Sequence, residues 1–389
     1  MKDLRDAIIV MPTDTPWNWS TDYVNQTADF LRKKNTVICF IKGQSIPFRL
    51  LFFRIFSQKI FKKYAKNLYH YTYVYFLPFR RFRAIESANF YLNLFVFKSI
   101  LWLFYRKRQY VKSVLWIFHP VFAPFLSLFG PSYYSIYDCV DFFSGDTLPP
   151  KEKNQVESDN ALLLRHANLA CVNSRSLYSR FQLLRSDISI VPQGFRYESF
   201  KRKSRILVHI PSNKPVIGYV GAFNYRLDFD LLESLIKRNS QWFFVFVGKF
   251  INDIEGERTK HRLKLLFDYP NVMMISSVEK RYIPGIIKQF DVAIIPYDMS
   301  IEFNRLCYPM KLLEYFYMGK PVISTDIREL EQFPKFVKIG KTASEWEYHI
   351  RALLTKPWPK KNQYEERQLA LANSWNMKLK RIITLIRSI

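Results

Sequence analysis

Short apolar runs alternate with longer stretches of helical periodicity along most of the chain. Continuous apolar runs bounded by polar residues are typical of strands buried on both faces of a parallel sheet, and the helical stretches between them complete β–α–β units. The predicted strands are Ala7–Met11, Thr36–Ile41, Tyr71–Leu77, Ser113–Phe118, Tyr133–Tyr137, Leu169–Val172, Ile188–Val191, Val216–Val220, Trp242–Val247, Val272–Ile275, Val292–Ile295 and Val322–Ser324. The pattern therefore predicts an α/β protein with parallel sheets.

The strand pattern is interrupted once, between Gln193 and Ile210, where periodicity is lost and charge increases. A chain of 389 residues is also too long for one ordinary core. We therefore predict one domain over residues 1–205 and a second over 206–362. From about Glu365 to Ile389 the pattern predicts a single long amphipathic helix, which closes the structure as a third segment over 363–389.

The stretch from Asn304 to Thr325 combines several local signals. A loop from Asn304 to Cys307 precedes Pro309, which is predicted at the first helical position because its missing N–H costs nothing there. The helix then runs to Met318, and Gly319 ends it before a short strand. A helix that begins at a loop offers unpaired N–H groups to an anion.

Two charged residues occupy one face of this helix. Lys311 lies in the first turn, where the helix dipole disfavours a cation, and Glu314 follows three residues later. The lysine and the amides suit a diphosphate, and the carboxylate suits a pair of sugar hydroxyls. An ordinary amphipathic helix with a solvated lysine–glutamate pair explains the same spacing, so both interpretations stand at this point.

Ligands of α/β sheets bind beyond the carboxyl ends of the strands, so polar residues just after strands are candidates. His119 follows a strand and suits a sugar hydroxyl or phosphate, or equally a structural role. Asp141 is preferred to Asp138, which ends a strand and suits a capping role. Gly221 lets a phosphate approach the backbone, and Arg226 in the same loop suits bidentate binding or simple solvation.

The net charge of +26 is concentrated in one part of the chain. Between Lys42 and Lys112 there are 15 Lys or Arg residues and one acid, Glu86, interleaved with aromatic residues. This mixture favours an anionic membrane surface over nucleic acid, for which no known motif is present, and a solvated basic surface is the alternative. The apolar run 88–105 contains Asn93 and Lys98, so we predict a helix buried on one side and not a membrane span.

Other function classes find no support in the sequence. The four cysteines are far apart, and no CxxC pair or His/Cys cluster predicts a disulfide framework or a metal site. No P-loop is present. The N-terminal MKDLRDAIIVMP reads as a first strand and not as a signal peptide, so a reducing cytoplasm is expected.

Four segments of the second half resemble the donor domain of retaining GT-B glycosyltransferases of family four. They are GYVGAFNYRLDFDLL (218–232), WFFVFVGKF (242–250), NVMMISSVEKRYIPGIIKQFDVAIIPY (271–297) and YPMKLLEYFYMGKPVIST (308–325). Upstream, YDCVDFFSG (137–145), ANLACVNSRSLYSRF (167–181) and ISIVPQGFRYESF (188–200) resemble the acceptor domain, closest to the teichuronic-acid and exopolysaccharide branch.

The resemblance implies two Rossmann-like domains that face a central cleft, with a nucleoside-diphosphate sugar held mainly by the second domain. It implies transfer with retention, without a cofactor, a metal or a protein nucleophile. Lys311 and Arg226 would bind the diphosphate and Glu314 the ribose, while His119 and Asp141 would act from the first domain. The donor-binding set is completed by Gly221, Ser277, Tyr297 and Pro309 of the matching stretches and by Asn304 and Leu306, which lie just before the last stretch.

The chain departs from the family pattern at three of its positions. Leu306 stands where the first glutamate of the family's pair is expected, so the grip on the donor sugar would fall to neighbours such as Asn304 or be absent. Ala222 and Leu227 replace the cations of the donor loop. The resemblance therefore implies a glycosyltransferase that acts on a lipid-linked or polysaccharide acceptor, peripheral on the cytoplasmic membrane face. A degenerate binding partner in glycan assembly and a nucleotide-sugar epimerase are the alternatives.

Overall fold

The computed structural model describes residues 4–14, 17, 22–46, 60–78, 81–107, 110, 112–146, 148–201, 208–211, 213–251 and 256–387. The strands of the first half are β1 (Ala7–Thr13), β2 (Thr36–Ile46), β3 (Phe61–Ala65), β4 (Leu68–Val74), β5 (Lys112–Ile117), β6 (Tyr134–Cys139), β7 (Leu169–Val172) and β8 (Ser189–Ile190). The helices are α1 (Asp22–Leu31), α2 (Arg83–Lys107), α3 (Pro124–Phe129), α4 (Pro150–His166), α5 (Arg175–Phe181) and α6 (Glu198–Lys201).

The second half has the strands β9 (Val216–Val220), β10 (Phe243–Gly248), β11 (Val272–Ser276), β12 (Val292–Ile295), β13 (Val322–Ser324) and β14 (Val337–Ile339). Its helices are α7 (Phe229–Arg238), α8 (Gly256–Phe267), α9 (Ile283–Ile287), α10 (Glu302–Leu306), α11 (Met310–Tyr317), α12 (Ala343–Thr355), α13 (Lys360–Ala372) and α14 (Trp375–Arg387). The predicted boundary near residue 205 lies outside the described residues.

Each half of the chain forms its own sheet. The first has the order β3-β4-β2-β1-β5-β6-β7-β8 and is parallel except for the β3–β4 hairpin, and the second has the order β11-β10-β9-β12-β13-β14 and is parallel throughout. Buried residues on both faces of each sheet explain why the strands appear in the sequence as continuous apolar runs. The predicted α/β architecture is confirmed.

The strand order reverses between β1 and β5 in the first sheet and between β9 and β12 in the second. At such a switch point the connecting segments diverge and leave a crevice at the carboxyl ends of the strands. The first crevice has Asp14 and His119 at its edge, and the second has Gly221 and Tyr297. The fold thus places His119 of the first domain and Gly221 and Tyr297 of the second at the switch points of their sheets.

Helix α2 is buried along one side, as the apolar run with its polar interruptions predicted. Phe97 and Leu101 pack in the hydrophobic core of the first domain. Asn93 is fully buried and exchanges hydrogen bonds with the backbone of Val74, with its Nδ2 donating to the carbonyl at 2.7 Å and its Oδ1 accepting from the amide at 2.7 Å. By length and composition residues 84–106 qualify as a candidate membrane span, although 28% of the qualifying window is buried inside the protein.

The prediction of one long C-terminal helix is wrong, because α13 and α14 are separate. Between them the Phe195 amide donates to the Asn373 carbonyl at 3.1 Å, and the Trp375 amide donates to the Phe195 carbonyl at 3.2 Å. These backbone bonds to another segment replace bonds that would continue the helix. Helix α13 packs on α11 of the second domain, whereas α14 packs on α1 and on the hydrophobic core of the first domain.

Candidate functional site

Lys311 lies at the start of α11, at the switch point of the second sheet. Its ammonium group donates hydrogen bonds to the Tyr219 hydroxyl at 3.1 Å and to the Tyr297 hydroxyl at 2.5 Å. It also stands 4.4 Å and 4.5 Å from the centres of the two rings. A Cβ atom on Gly221 would lie 3.0 Å from Lys311 Nζ, so a glycine here keeps the strand end open beside the cation.

Burial lowers the pKa of Lys311 to about 7, and the nearby Arg226 guanidinium acts in the same direction, while Cys307 and Glu314 oppose the shift. A cation without a counter-ion is costly in a desolvated position, so the ammonium is poised to lose its proton near neutrality. An anion at this point would restore the charged form. The shift therefore marks a position where a negative ligand is electrostatically favoured.

The helix start differs slightly from its prediction. Pro309 is the residue before the helix (φ −67°, ψ 111°), because the first helical residue is Met310. The segment predicted as a loop around Asn304 is the short helix α10. Gly319 has φ +65° and ends α11 as predicted. Glu314 lies on the next turn from Lys311, is half-buried and interacts electrostatically with it.

Arg226 is already paired in this structure. Its Nη2 lies 2.9 Å from Oδ2 of Asp146, a first-domain residue, and its guanidinium lies 3.8 Å from the centre of the Phe303 ring. The hydroxyl of Tyr225 donates to the other carboxylate oxygen of Asp146. A diphosphate ligand of Arg226 therefore has to share the guanidinium with Asp146 or displace it.

The two donor-binding residues predicted around α10 have different surroundings. Leu306 is half-buried and packs against the first-domain core, so this position takes part in contact between the domains. Asn304 is fully buried, and its Nδ2 donates to the carbonyls of Arg226 at 3.1 Å and Asp298 at 2.9 Å. Asn304 thus positions the Arg226 loop from within the protein and has no surface for a sugar.

Asp141 and Asp138 have separate roles. Asp138 is fully buried and forms an ion pair of 3.0 Å with Lys378 of α14, which also donates to Gln193 at 3.1 Å. Asp141 follows β6, and burial raises its pKa to about 7, with Asp146 acting in the same direction and Arg226 and Lys378 opposing. Asp141 of the first domain and Arg226 of the second thus interact electrostatically.

His119 belongs to a different group of residues. Its Nδ1 accepts the Val121 amide at 3.2 Å, which places the ring proton of the neutral form on Nε2, 3.9 Å from Asp14 Oδ2. Burial lowers its pKa, while Asp14 and Asp159 oppose this shift. His119 is therefore a neutral imidazole at the first switch point, and the charged groups acting on it do not include Lys311, Arg226 or Asp141.

Ser277 is exposed just after β11, two strands away from β9, and its described surroundings place no other site residue in contact with it.

A cavity of about 1000 Å³ opens beside the Arg226 loop. Gly145 and Lys153 line it from the first domain, and Asp228, Asp298 and Ser300 from the second. Neither Lys311 nor Glu314 lines this cavity. It therefore adjoins the group of Lys311, Tyr219, Tyr297 and Arg226, the Lys311 cluster, and does not contain it.

The sequence prediction missed Tyr219, Tyr225 and Asp146. Tyr219 lies inside an apolar strand run, where an aromatic residue is expected to serve the core, and only the adjacent Gly221 could have singled it out. Asp146 meets Arg226 across 80 positions of sequence, for which one sequence carries no signal.

Comparisons with known proteins concern the second half of the chain and the overall fold. Residues 214–355 match the family model described as glycosyl transferases group 1. The chain is 24% identical over 213 residues to TuaH of Bacillus subtilis (strain 168), named as a teichuronic acid biosynthesis glycosyltransferase. That match covers 51% of this chain and 52% of the relative, so the chain spans about half the length of the curated relative it matches.

Solved structures extend the likeness to the whole fold. The sucrose-phosphate synthase of Thermosynechococcus elongatus superposes with a TM-score of 0.76 at 13% identity and covers 99% of both chains. HepE of Anabaena, solved with UDP and glucose, gives a TM-score of 0.66 at 11% identity over 98% of this chain and 100% of its own. The predicted GT-B fold, with two parallel-sheet α/β domains, is confirmed.

Proposed function

We propose that this chain, whose residues 214–355 form a group 1 glycosyltransferase domain, transfers a sugar with retention from a nucleoside-diphosphate sugar to a lipid-linked or polysaccharide acceptor. The observation that carries the proposal is Lys311, held by Tyr219 and Tyr297 at the switch point beside Gly221. A half-buried lysine without an acidic hydrogen-bond partner among its described contacts is partly desolvated, and an anion that completes its surroundings stabilises its charged form. The leaving diphosphate of a nucleotide sugar is such an anion.

Each residue of the cluster has a part in holding the donor. Lys311 and the N-terminus of α11 bind the diphosphate, and Arg226 joins them from the opposite loop. Glu314, one turn along α11, accepts hydrogen bonds from the ribose hydroxyls. HepE, solved with UDP-glucose, supports a UDP sugar as the first donor to test.

The course of the reaction follows from the negative charge that develops on the leaving diphosphate. The bond between the anomeric carbon and the diphosphate oxygen breaks as the acceptor oxygen bonds to the same face of that carbon. The acceptor proton passes to a leaving phosphate oxygen, and the nucleoside diphosphate departs. Lys311 stabilises the negative charge that grows on the diphosphate, so no protein nucleophile is needed.

We expect donor binding to take up a proton near neutral pH. The pKa of Lys311 is about 7 in the free protein, and a bound diphosphate raises it because the charged form gains a partner. Affinity for a nucleoside diphosphate should therefore be highest below pH 7 and fall as the pH rises above 7. Titration calorimetry in two buffers of different ionisation enthalpy measures this uptake. Lys311→Gln should abolish it, and a buffer-independent enthalpy in the wild type would contradict the assignment.

We expect sugar transfer to survive exhaustive treatment with EDTA. Lys311, Arg226 and the α11 N-terminus supply the positive charge that a divalent ion supplies in other enzymes. Within the described residues, no group of three or more His, Cys, Asp or Glu side chains is arranged to hold a metal. Product formation by desalted protein should match that of the untreated protein, whereas a strict dependence on added magnesium or manganese would refute this mechanism.

The proposal is tested first by a panel of UDP, GDP and other nucleotide sugars in thermal unfolding. A ligand at a hundred times its dissociation constant adds about 2.7 kcal/mol to the free energy of unfolding. One nucleotide class should raise the melting temperature of the wild type, and Glu314→Gln should reduce that shift. A panel without any stabilising member would argue against a donor site.

We place the reaction at the cytoplasmic membrane face, with the protein bound peripherally. The support is the outer face of α2, where Tyr91, Leu92, Phe95, Trp102 and Leu103 are 41–72% exposed. Arg106 lies over the Trp102 ring at 4.7 Å, and Arg81 lies over the Phe82 ring at 5.0 Å. Aromatic residues flanked by arginines suit the interface of an anionic membrane. The segment 47–59 of the basic stretch lies outside the described residues.

A binding protein without catalysis is the second candidate, because Leu306 at the expected glutamate position packs against the first domain. Such a protein would still bind the nucleotide sugar through Lys311 and Glu314. Turnover of a labelled donor separates the two functions, since the binding protein releases no nucleoside diphosphate.

A further inference from the structure

Arg226 and Tyr225 of the second domain are both held by one carboxylate of the first. Asp146 follows the 3-10 turn Phe143–Gly145, binds Arg226 Nη2 at 2.9 Å through one oxygen and accepts the Tyr225 hydroxyl through the other. Arg226 Nε is buried and has no hydrogen-bond partner in the described part of the chain. The guanidinium therefore keeps donor capacity that Asp146 does not use.

The turn that carries Asp146 is pressed against the second domain. A Cβ atom on Gly145 would clash with the Phe142 ring of the first domain and would also lie 2.9 Å from the backbone nitrogen of Phe303, so the turn and the second domain are in close contact here. A second contact between the domains lies at Glu302, which pairs with Arg180 at 3.0 Å and with Lys153 at 3.9 Å. The Glu302 contact involves neither Arg226 nor Tyr225.

The positive charge of Arg226 and Lys311 is thus reduced in this structure. Asp146 neutralises Arg226, and burial favours the neutral form of Lys311. A diphosphate that reaches Lys311 brings like charge toward the Asp146 carboxylate and competes for the same guanidinium. Asp146 holds Arg226 through a single oxygen, and a diphosphate that takes the unused donors of the guanidinium shares its charge and repels the carboxylate, so the contact with Asp146 is weakened when a diphosphate binds.

We propose that Asp146 is a built-in competitor of the donor diphosphate, which sets donor affinity and couples donor binding to release of the first-domain turn. The inference rests on the proposed function, because it needs a diphosphate at Arg226. It assigns to Asp146 a role opposite to that of a positioning residue, since removal of its charge should tighten binding. The Glu302 pairs keep the domains together when the turn is released.

The test compares binding of UDP and GDP to the full-length wild type, Asp146→Asn and Glu302→Gln by titration calorimetry. Asp146→Asn should lower the dissociation constant of the nucleotide that binds by about three- to tenfold, as expected for loss of one partly exposed ion pair and its repulsion of the ligand. Glu302→Gln removes a carboxylate of similar exposure from another contact between the domains. Its dissociation constant should stay within about twofold of the wild type.

Further variants separate the alternatives. Asp146→Ser serves as a second variant if Asp146→Asn unfolds at a lower temperature than the wild type. In an Arg226→Gln background Asp146→Asn should tighten binding by less than it does in the wild-type background, because only its direct repulsion of the ligand is then removed. Unchanged or weaker binding by both Asp146 variants would overturn the competitor role, and so would equal tightening by Glu302→Gln. If no nucleotide binds to the wild type or the variants, the proposed function itself fails and this inference fails with it.

Discussion

Replacement of Lys311 by alanine is expected to slow sugar transfer by about 10²- to 10³-fold, the loss seen when one preorganised donor is removed from a developing oxyanion. The negative charge on the diphosphate grows as its bond to the sugar breaks, so Lys311 contributes more in the transition state than in the donor complex. The effect should appear mainly in kcat. Steady-state kinetics with the nucleotide sugar that stabilises the protein measure it.

Glu314→Gln is the matched comparison, because Glu314 lies on the same helix face but is proposed to bind the ribose and not the leaving group. This variant should raise KM with a smaller change in kcat, since the ribose contact is similar in the ground and transition states. Wild-type turnover in both variants would show that the site is wrongly assigned. A loss confined to KM in Lys311→Ala would assign it to binding alone.

Binding to anionic vesicles is expected to fall by about ten- to a hundredfold when Tyr91, Phe95 and Trp102 are changed together to serine. These side chains are 57%, 72% and 56% exposed on one face of α2, and they gain an apolar surrounding only if a lipid interface covers them. Sedimentation with vesicles of increasing anionic lipid content measures the partitioning. Wild-type binding should also fall with salt, because each Lys or Arg near an anionic surface contributes about 1 kcal/mol.

A triple variant elsewhere on the surface controls for general loss of apolar area. Leu183, Tyr348 and Tyr364 are 93%, 70% and 64% exposed, and none of them belongs to α2. Their change to serine should leave partitioning within about twofold of the wild type. Equal binding to neutral and anionic vesicles, or none to either, would return the basic, aromatic stretch to the solvated-surface alternative.

The strands buried on both faces were predictable because the residues on both faces of such a strand are apolar and form a continuous apolar run in the sequence. Strand β3 was missed because Lys62 and Lys63 are exposed on it and its only described strand partner is β4 in an edge hairpin. The break between α13 and α14 was missed because amphipathic periodicity continues across it. Its cause is the pairing of Phe195 with the backbone around Ser374, a contact between distant segments that no local pattern encodes.

In the candidate site, too, local sequence signals were informative, whereas contacts between distant segments were not encoded in any local pattern. Lys311 and Gly221 were named from local sequence signals and Tyr297 with the family resemblance, and the structure brings the three together around one crevice because their strand ends meet at a switch point. Leu306 and Asn304 were assigned to the donor sugar from motif position alone. The structure shows that their neighbours, the first-domain core and the Arg226 loop, determine their roles.

Release of nucleoside diphosphate from the stabilising nucleotide sugar by purified full-length protein tests the central claim most directly. The assay is run with a lipid extract as a source of acceptor, and the radiolabelled sugar is followed into the lipid or polymer fraction. The account predicts saturable release that matches transfer of label, persists in EDTA and is lost in Lys311→Ala. Donor binding that produces neither free nucleoside diphosphate nor labelled product with any acceptor fraction would contradict it.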